Sequence, residues 1–171
     1  MRLSFAIAGQ ISAALIYFTG GGGPARAATV TASVSATTAK PLILTKVQDL
    51  NLGTVTLGPG AWSNAVLSIS QAGVLSCTNA NVVCSGAVQV AQYNVQGSKQ
   101  QAVNISAPNV TLTNQSDPTK TLTLVTNAPA TLVLANSGFP GSDFSIGGSV
   151  TLSSTTASGT YVGTLNVTVN Y

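Results

Sequence analysis

Residues 159–171 read GTYVGTLNVTVNY and have the most regular alternation of apolar and polar side chains in the sequence. A period of two residues is typical of a β-strand with one face buried and the other in water. One predicted face carries Tyr161, Leu165, Val167, Val169 and Tyr171. The opposite predicted face carries Val162, Thr164, Asn166, Thr168 and Asn170. The stretch therefore predicts a half-buried strand.

The same alternation recurs along the rest of the sequence, where Gly, Pro, Asn and Asp separate the alternating segments. No segment combines a sustained 3.6-residue apolar period with the caps of a helix. About eight to eleven short strands without crossover helices predict an all-β, antiparallel β-sandwich. A closed barrel is the alternative architecture, since closure also removes the sheet edges. Within one strand, Gly147 and Gly148 predict a bulge or a sharp bend.

The first residues have the three parts of a secretory signal peptide: a basic start, an apolar run over residues 3–18, and the small-residue motif ARA. A membrane anchor is the alternative, but the run is shorter than the roughly 20 residues of a spanning helix. We therefore expect residues 1–27 to be removed on export. We expect residues 28–40 to form an N-terminal extension or edge strand, and residues 41–171 to form the sandwich domain. The mature chain would have no membrane span and would lie in the periplasm, on the outer surface or outside the cell.

The residue types present exclude most catalytic chemistry. The sequence has no His, so it can form neither a Ser-His-Asp triad nor an imidazole metal site. After removal of the leader, four lysines and three aspartates leave a net charge of +1, too little for a nucleic-acid-binding stripe. The carboxylates of Asp49, Asp117 and Asp143 stand apart in turn-like segments. We therefore expect no enzyme activity, no metal, no cofactor and no nucleic-acid partner.

The two cysteines, Cys77 and Cys84, flank the turn-rich segment TNANVV. An even cysteine count in an exported chain predicts a disulfide, here a local one across a hairpin or loop. Closing so small a loop corresponds to about 2.5 kcal/mol of chain entropy. A redox-active pair would instead use a Cys-x-x-Cys spacing at a helix N-terminus. We therefore interpret the pair as structural.

Aromatic side chains raise the alternative of glycan or receptor binding by the sandwich loops. The available rings are Trp62, Tyr93, Phe139 and Tyr161. Trp62, within the segment PGAWSN, is the best candidate for a platform in an exposed loop. A single Trp is, however, more often a residue that covers the core.

Residues 41–53, PLILTKVQDLNLG, resemble the start of a family of small secreted bacterial proteins. This family occurs in Gram-negative alphaproteobacteria and is described only as a domain of unknown function. Its pattern PLxLxKxxDLx[FL]G is present, with Leu52 where Phe is usual. Later family marks also match: YNVQG at 93–97, IGG at 146–148, and GTYVGTLNVTVNY at the end. The resemblance covers essentially the whole mature chain and implies no established activity.

The last strand is also similar to that of chaperone–usher pilus subunits and of spore-coat-U-like secreted proteins. Those chains have a Gly twelve residues before a near-terminal Tyr, and Gly159 and Tyr171 keep this spacing. The pilin Tyr is usually penultimate, whereas Tyr171 is the last residue of this sequence. Residues 28–36 resemble the alternating donor extension of a pilin. This resemblance implies an immunoglobulin-like or pilin-like sandwich that lacks its final strand.

In pilin-like assemblies, the extension of a neighbour fills the groove of the missing strand by β-strand addition. The resemblance therefore implies a secreted structural subunit of a cell-surface or fimbrial-type assembly. Its partners would be identical or related subunits and a periplasmic chaperone. The donor residues would be Val30, Ala32, Val34 and Ala36. The assembly strand of the receiving subunit would use Gly159, Tyr161, Leu165, Val167, Val169 and Tyr171.

The alternative function is that of a self-complete, monomeric secreted β-sandwich that binds a glycan or a receptor in adhesion. In that case the N-terminal extension pairs within its own sandwich. Small Val and Ala side chains fit either role, so the sequence leaves both open.

Overall fold

The computed structural model describes residues 29–171. The predicted signal peptide and Ala28 lie outside the described residues. The chain divides between Ala36 and Thr37 into two units, and the second unit, Thr37–Tyr171, contains every described strand. Of the first unit, residues 29–36 are described; they form no strand and their side chains are exposed.

Residues 29–171 form thirteen strands and no helix. The strands are β1 (Ile43–Gln48), β2 (Thr54–Leu57), β3 (Ala65–Ile69), β4 (Leu75–Cys77), β5 (Val82–Ser85), β6 (Ala91–Gln96), β7 (Ala102–Ser106), β8 (Val110–Asn114), β9 (Thr121–Asn127), β10 (Thr131–Val133), β11 (Ser142–Leu152), β12 (Tyr161–Val162) and β13 (Thr168–Asn170).

The strands form three antiparallel sheets. The eight-stranded sheet has the order β1-β6-β11-β9-β8-β12, with β3 paired to β11 and β4 paired to β3. A three-stranded sheet has the order β10-β7-β13, and β2 pairs with β5 in a two-stranded sheet. The sheets curl into a half-barrel, which confirms the predicted all-β, antiparallel β-sandwich.

The long strand β11 organises the large sheet because it changes partners along its length. Residues 142–146 pair with β6, whereas residues 147–150 pair with β9 and residues 148–152 pair with β3. The strand continues through Gly147 and Gly148, where the sequence predicted a bulge or bend. A Cβ atom on Gly147 would collide with the carbonyl oxygen of Ile69. The glycine therefore permits a close backbone approach at the point where β11 changes partners.

Two apolar clusters form the core. The first lies between β6 and β11 on one side and β7 on the other, and Tyr93 stacks on Phe144 with 5.5 Å between ring centroids. Its buried members are Ala91, Tyr93, Val95, Val103, Ile105, Leu134, Phe144 and Ile146. The second cluster joins β3, β8, β9 and β11 to β5. Its buried members are Ala65, Leu67, Val82, Val110, Leu124, Val150 and Leu152. Packing between sheets therefore stabilises the fold, as expected of a sandwich.

The predicted disulfide between Cys77 and Cys84 is confirmed, with 6.3 Å between the two Cα atoms. It joins the end of β4, in the large sheet, to β5, in the two-stranded sheet. Disulfides form and persist in oxidising compartments, which fits an exported protein. Within residues 29–171 no helix has the length and apolar character needed to cross a bilayer.

Candidate functional site

A cleft of about 1190 Å³ runs along the second core cluster. One rim is the segment Asp49–Leu57, which leads into β2, and the other rim is the segment Thr156–Leu165. We call this cleft the acceptor groove. Its floor is apolar and includes Leu67, Val110, Leu112, Leu124, Val150 and Leu152. The groove therefore lies beside the predicted assembly strand.

The predicted assembly strand is interrupted in the structure, which is a difference from the single strand expected. Residues 161–162 pair with β8 in the large sheet, and residues 168–170 pair with β7 in the three-stranded sheet. Between them, residues 163–167 belong to no strand and cross from one sheet to the other. The ladders break because no single neighbouring strand follows the whole crossing. The predicted alternation is nevertheless present from Tyr161 to Val169, since Tyr161, Leu165, Val167 and Val169 are half-buried and the residues between them are exposed. Tyr171, predicted on the same face, is 44% exposed.

The crossing segment 163–167 offers free backbone groups. Among the described residues, none of its amide or carbonyl groups is hydrogen-bonded to another residue. Leu165 contacts both core clusters, so one side of the segment is packed while its backbone edge is unpaired. Unpaired backbone groups beside an apolar groove form a surface onto which a strand can be added.

Gly159 positions the start of the assembly strand. Its φ is +139°, and a Cβ atom there would lie 2.6 Å from the side-chain amide of Asn114. Asn114 is fully buried, donates from Nδ2 to the carbonyl of Ser158, and accepts from the backbone N–H groups of Ser116 and Asp117. The amide thus fastens the rim to the β8–β9 hairpin. The sequence marked Gly159 by its spacing from Tyr171, but nothing in the pattern indicated that Asn114 is its partner.

Gly163 allows the rim to approach β8 closely, because it has no side chain. A Cβ atom at this position would lie 2.7 Å from the carbonyl oxygen of Thr111 and 2.7 Å from a methyl group of Val110. The segment therefore lies against β8 although no ladder continues beyond Val162.

The opposite rim is held by a different set of contacts. Asn51 exchanges two backbone hydrogen bonds with Gln89, and Thr54–Leu57 pair with β5. The disulfide links β5 to β4, so it also restrains β2, the part of this rim that pairs with β5. The apolar side chains of this rim, namely Leu50, Leu52, Val55 and Leu57, are only half-buried.

The groove has little charge. Lys46 and Asp49 lie at one end and form an exposed ion pair of 2.8 Å. The hydrogen bond from Lys46 to Asp49, and then their Coulombic attraction, raise the pKa of the Lys46 ammonium. Burial raises the pKa of the Tyr93 hydroxyl, which lines the same end. The groove is therefore suited to an uncharged, apolar occupant.

The predicted donor residues Val30, Ala32, Val34 and Ala36 lie in the exposed segment that precedes the sandwich. Val30 is 93% exposed and Val34 is 95% exposed. Residues 29–40 form no strand, and no residue from 28 to 39 is charged. We call residues 28–40 the arm.

The structure separates the other candidate groups. The carboxylates of Asp49, Asp117 and Asp143 belong to different loops and strands, and no metal-binding cluster of acidic or sulfur ligands occurs in the described part of the chain. Trp62 is half-buried against the second cluster and donates from Nε1 to the carbonyl of Gly58, so it covers the core. The exposed ring is instead that of Phe139, which is 89% exposed.

Comparison with known proteins matches the chain to a family model. The model described as Domain of unknown function (DUF4402) matches residues 42–171. No curated protein and no solved structure matches the chain. The matched range begins just after the arm and includes both rims of the acceptor groove.

Proposed function

We propose a function for this chain, which belongs to the DUF4402 family, from the groove and the arm. The protein is a secreted, non-enzymatic structural subunit of a cell-surface or fimbrial-type assembly. Subunits join when the arm of one copy is added as a strand to the acceptor groove of the next. The observation that carries the proposal is the unpaired backbone of residues 163–167 beside an apolar groove.

The chemistry of the arm supports this pairing. Residues 29–36 alternate Thr or Ser with Val or Ala, so a strand made from them has one apolar face. Eight extended residues span about 26 Å at the usual rise per residue. The crossing segment 163–167 has five residues, so the arm is long enough to pair with all of it. The arm would supply the backbone hydrogen bonds that residues 163–167 lack, and its apolar face would cover the groove floor.

The energetics favour a donated strand over an empty groove. Unpaired N–H and C=O groups next to half-buried apolar side chains, here Leu52, Val55 and Leu57, promote uncontrolled association. Filling the groove with a strand of the protein's own sequence protects these groups. Each fully buried Val contributes roughly 1.5–3 kcal/mol, and Val30 and Val34 are both available for burial.

The test replaces residues 29–36 by an eight-residue Gly-Ser sequence in the exported full chain, which keeps the length and leaves the predicted cleavage motif untouched. We expect the wild type to give a ladder of oligomers in mild detergent without heating and the variant to give monomers. Formation of the Cys77–Cys84 disulfide in both proteins is the control for export and folding. A variant that assembles as the wild type does would refute arm donation.

A second candidate is glycan or receptor binding by a self-complete sandwich. Phe139 favours it, because an 89% exposed ring in the β10–β11 loop is a potential platform. In this case a glycan array should give a signal that Phe139→Ala abolishes, and the Gly-Ser arm variant should retain it.

A further inference from the structure

The arm and the assembly strand are joined by one hydroxyl group. The Oη atom of Tyr171 donates a hydrogen bond of 2.6 Å to the carbonyl oxygen of Lys40 and accepts one of 2.9 Å from the backbone N–H of Ser98. The backbone N–H of Lys40 donates a 2.7 Å hydrogen bond to the Oγ atom of Ser98. We call Lys40, Ser98 and Tyr171 the root clamp.

The root clamp engages both backbone polar groups of Lys40, the residue at which the arm meets the sandwich. Pro41 follows it, and a residue before proline is restricted to extended conformations. Gly97 makes room for the clamp, because a Cβ atom there would lie 2.6 Å from the Tyr171 hydroxyl. The peptide units on both sides of the Lys40 Cα atom are therefore held in place.

This restraint matters for where the arm can bind. The arm precedes β1, and β1 leads into the rim Asp49–Leu57 of the same subunit. To fill the groove of its own subunit, the arm would have to reverse direction between residue 37 and Pro41 and run back along that rim. The bonds of Lys40 to Ser98 and Tyr171, with the restriction before Pro41, leave only residues 37–39 free to make that reversal.

We propose that the root clamp directs the arm to a second copy of the chain by preventing it from folding back into its own groove. Tyr171 is thus a positioning residue that acts through Lys40. The inference rests on the proposed function, since it concerns the choice between two grooves for the same arm.

The test compares Tyr171→Phe with Thr126→Val in the exported full chain. The matched control also removes one hydroxyl that donates to a backbone carbonyl, here that of Ala107, and Thr126 lines neither the groove nor the arm. We expect Tyr171→Phe to raise the ratio of monomer to ladder about fivefold, the effect of losing the one hydrogen bond that reaches Lys40. We expect Thr126→Val to leave that ratio unchanged.

A second measurement separates self-filling from loss of folding. In the Tyr171→Phe monomer, residues 29–36 should be protected from protease, because they occupy their own groove. Ser98→Ala, which removes the acceptor of the Lys40 N–H, should act in the same direction. An unchanged ratio in Tyr171→Phe, or monomers whose arm is cut as fast as in the free segment, would overturn the inference.

These outcomes are distinct from failure of the proposed function. If assembly does not depend on the arm at all, the Gly-Ser variant forms the wild-type ladder. If only the clamp inference is wrong, the Gly-Ser variant is monomeric while Tyr171→Phe assembles as well as Thr126→Val does.

Discussion

A single substitution in the arm tests both strand addition and its register. Val34 is 95% exposed and forms part of no strand. Val34→Asp should therefore leave the stability of the isolated subunit within about 0.5 kcal/mol of the wild type. In an assembled chain, the same side chain would face the groove floor, where a carboxylate has no partner.

The magnitude follows from burial. Loss of one buried Val costs roughly 1.5–3 kcal/mol, and a carboxylate placed in an apolar site adds a desolvation penalty. Because about 1.36 kcal/mol is a factor of ten, each junction should weaken by at least about tenfold. The matched control is Ser35→Asp, which adds the same charge to the next residue, on the face expected to point to water. This control should change each junction by less than about threefold, within the range of ordinary surface substitutions.

The assay is the oligomer distribution of the exported protein in mild detergent, measured over a range of concentrations, with thermal unfolding of the monomer as the folding control. Equal effects of Val34→Asp and Ser35→Asp would show that charge, and not strand register, controls assembly. No effect of either would refute insertion of the arm. Either result would contradict a donated strand whose Val and Ala face is turned toward the groove floor.

Three further predictions concern the sandwich itself. Asn114→Ala should lower the free energy of unfolding by about 1–3 kcal/mol, because the fully buried amide is the acceptor for the N–H groups of Ser116 and Asp117 and donates to Ser158; urea unfolding measures this, and an unchanged midpoint would contradict it. Changing Cys77 and Cys84 together to Ser should cost about 2.5 kcal/mol by the chain-entropy estimate, whereas a stability equal to the wild type would exclude a structural role. Thr119→Ala should raise the pKa of Asp117 in an NMR titration, because the Thr119 hydroxyl and then its backbone N–H lower that pKa. Since the folded-state pKa is the lower one, this stabilisation is present above the unfolded value of about 3.9 and is lost as pH falls through the folded value.

The local pattern of the chain was sufficient to predict the strands and the covalent link. Alternation with a period of two specifies which side chains face inward whatever strand lies next to them, so four members of the predicted face, Tyr161, Leu165, Val167 and Val169, are half-buried as expected. The fifth, Tyr171, is 44% exposed. Likewise, the short separation of Cys77 and Cys84 favoured their pairing. Trp62 was weighed between a binding platform and a cover for the core, and its packing against the second cluster favours the cover.

The partners of each strand depend on contacts between residues far apart in sequence, which periodicity does not encode. Curled sheets bring distant segments together, and three features arise from this. They are the exchange of partners along β11, the break in the assembly strand at residues 163–167, and the contact of Gly159 with Asn114. The hydrogen bond from Tyr171 to Lys40 joins residues 131 positions apart. The sequence by itself therefore determined an all-β chain with one disulfide and an alternating arm, because these follow from neighbouring residues. Only the tertiary structure decided where a strand position is open, since an edge is unpaired only in relation to the strands around it.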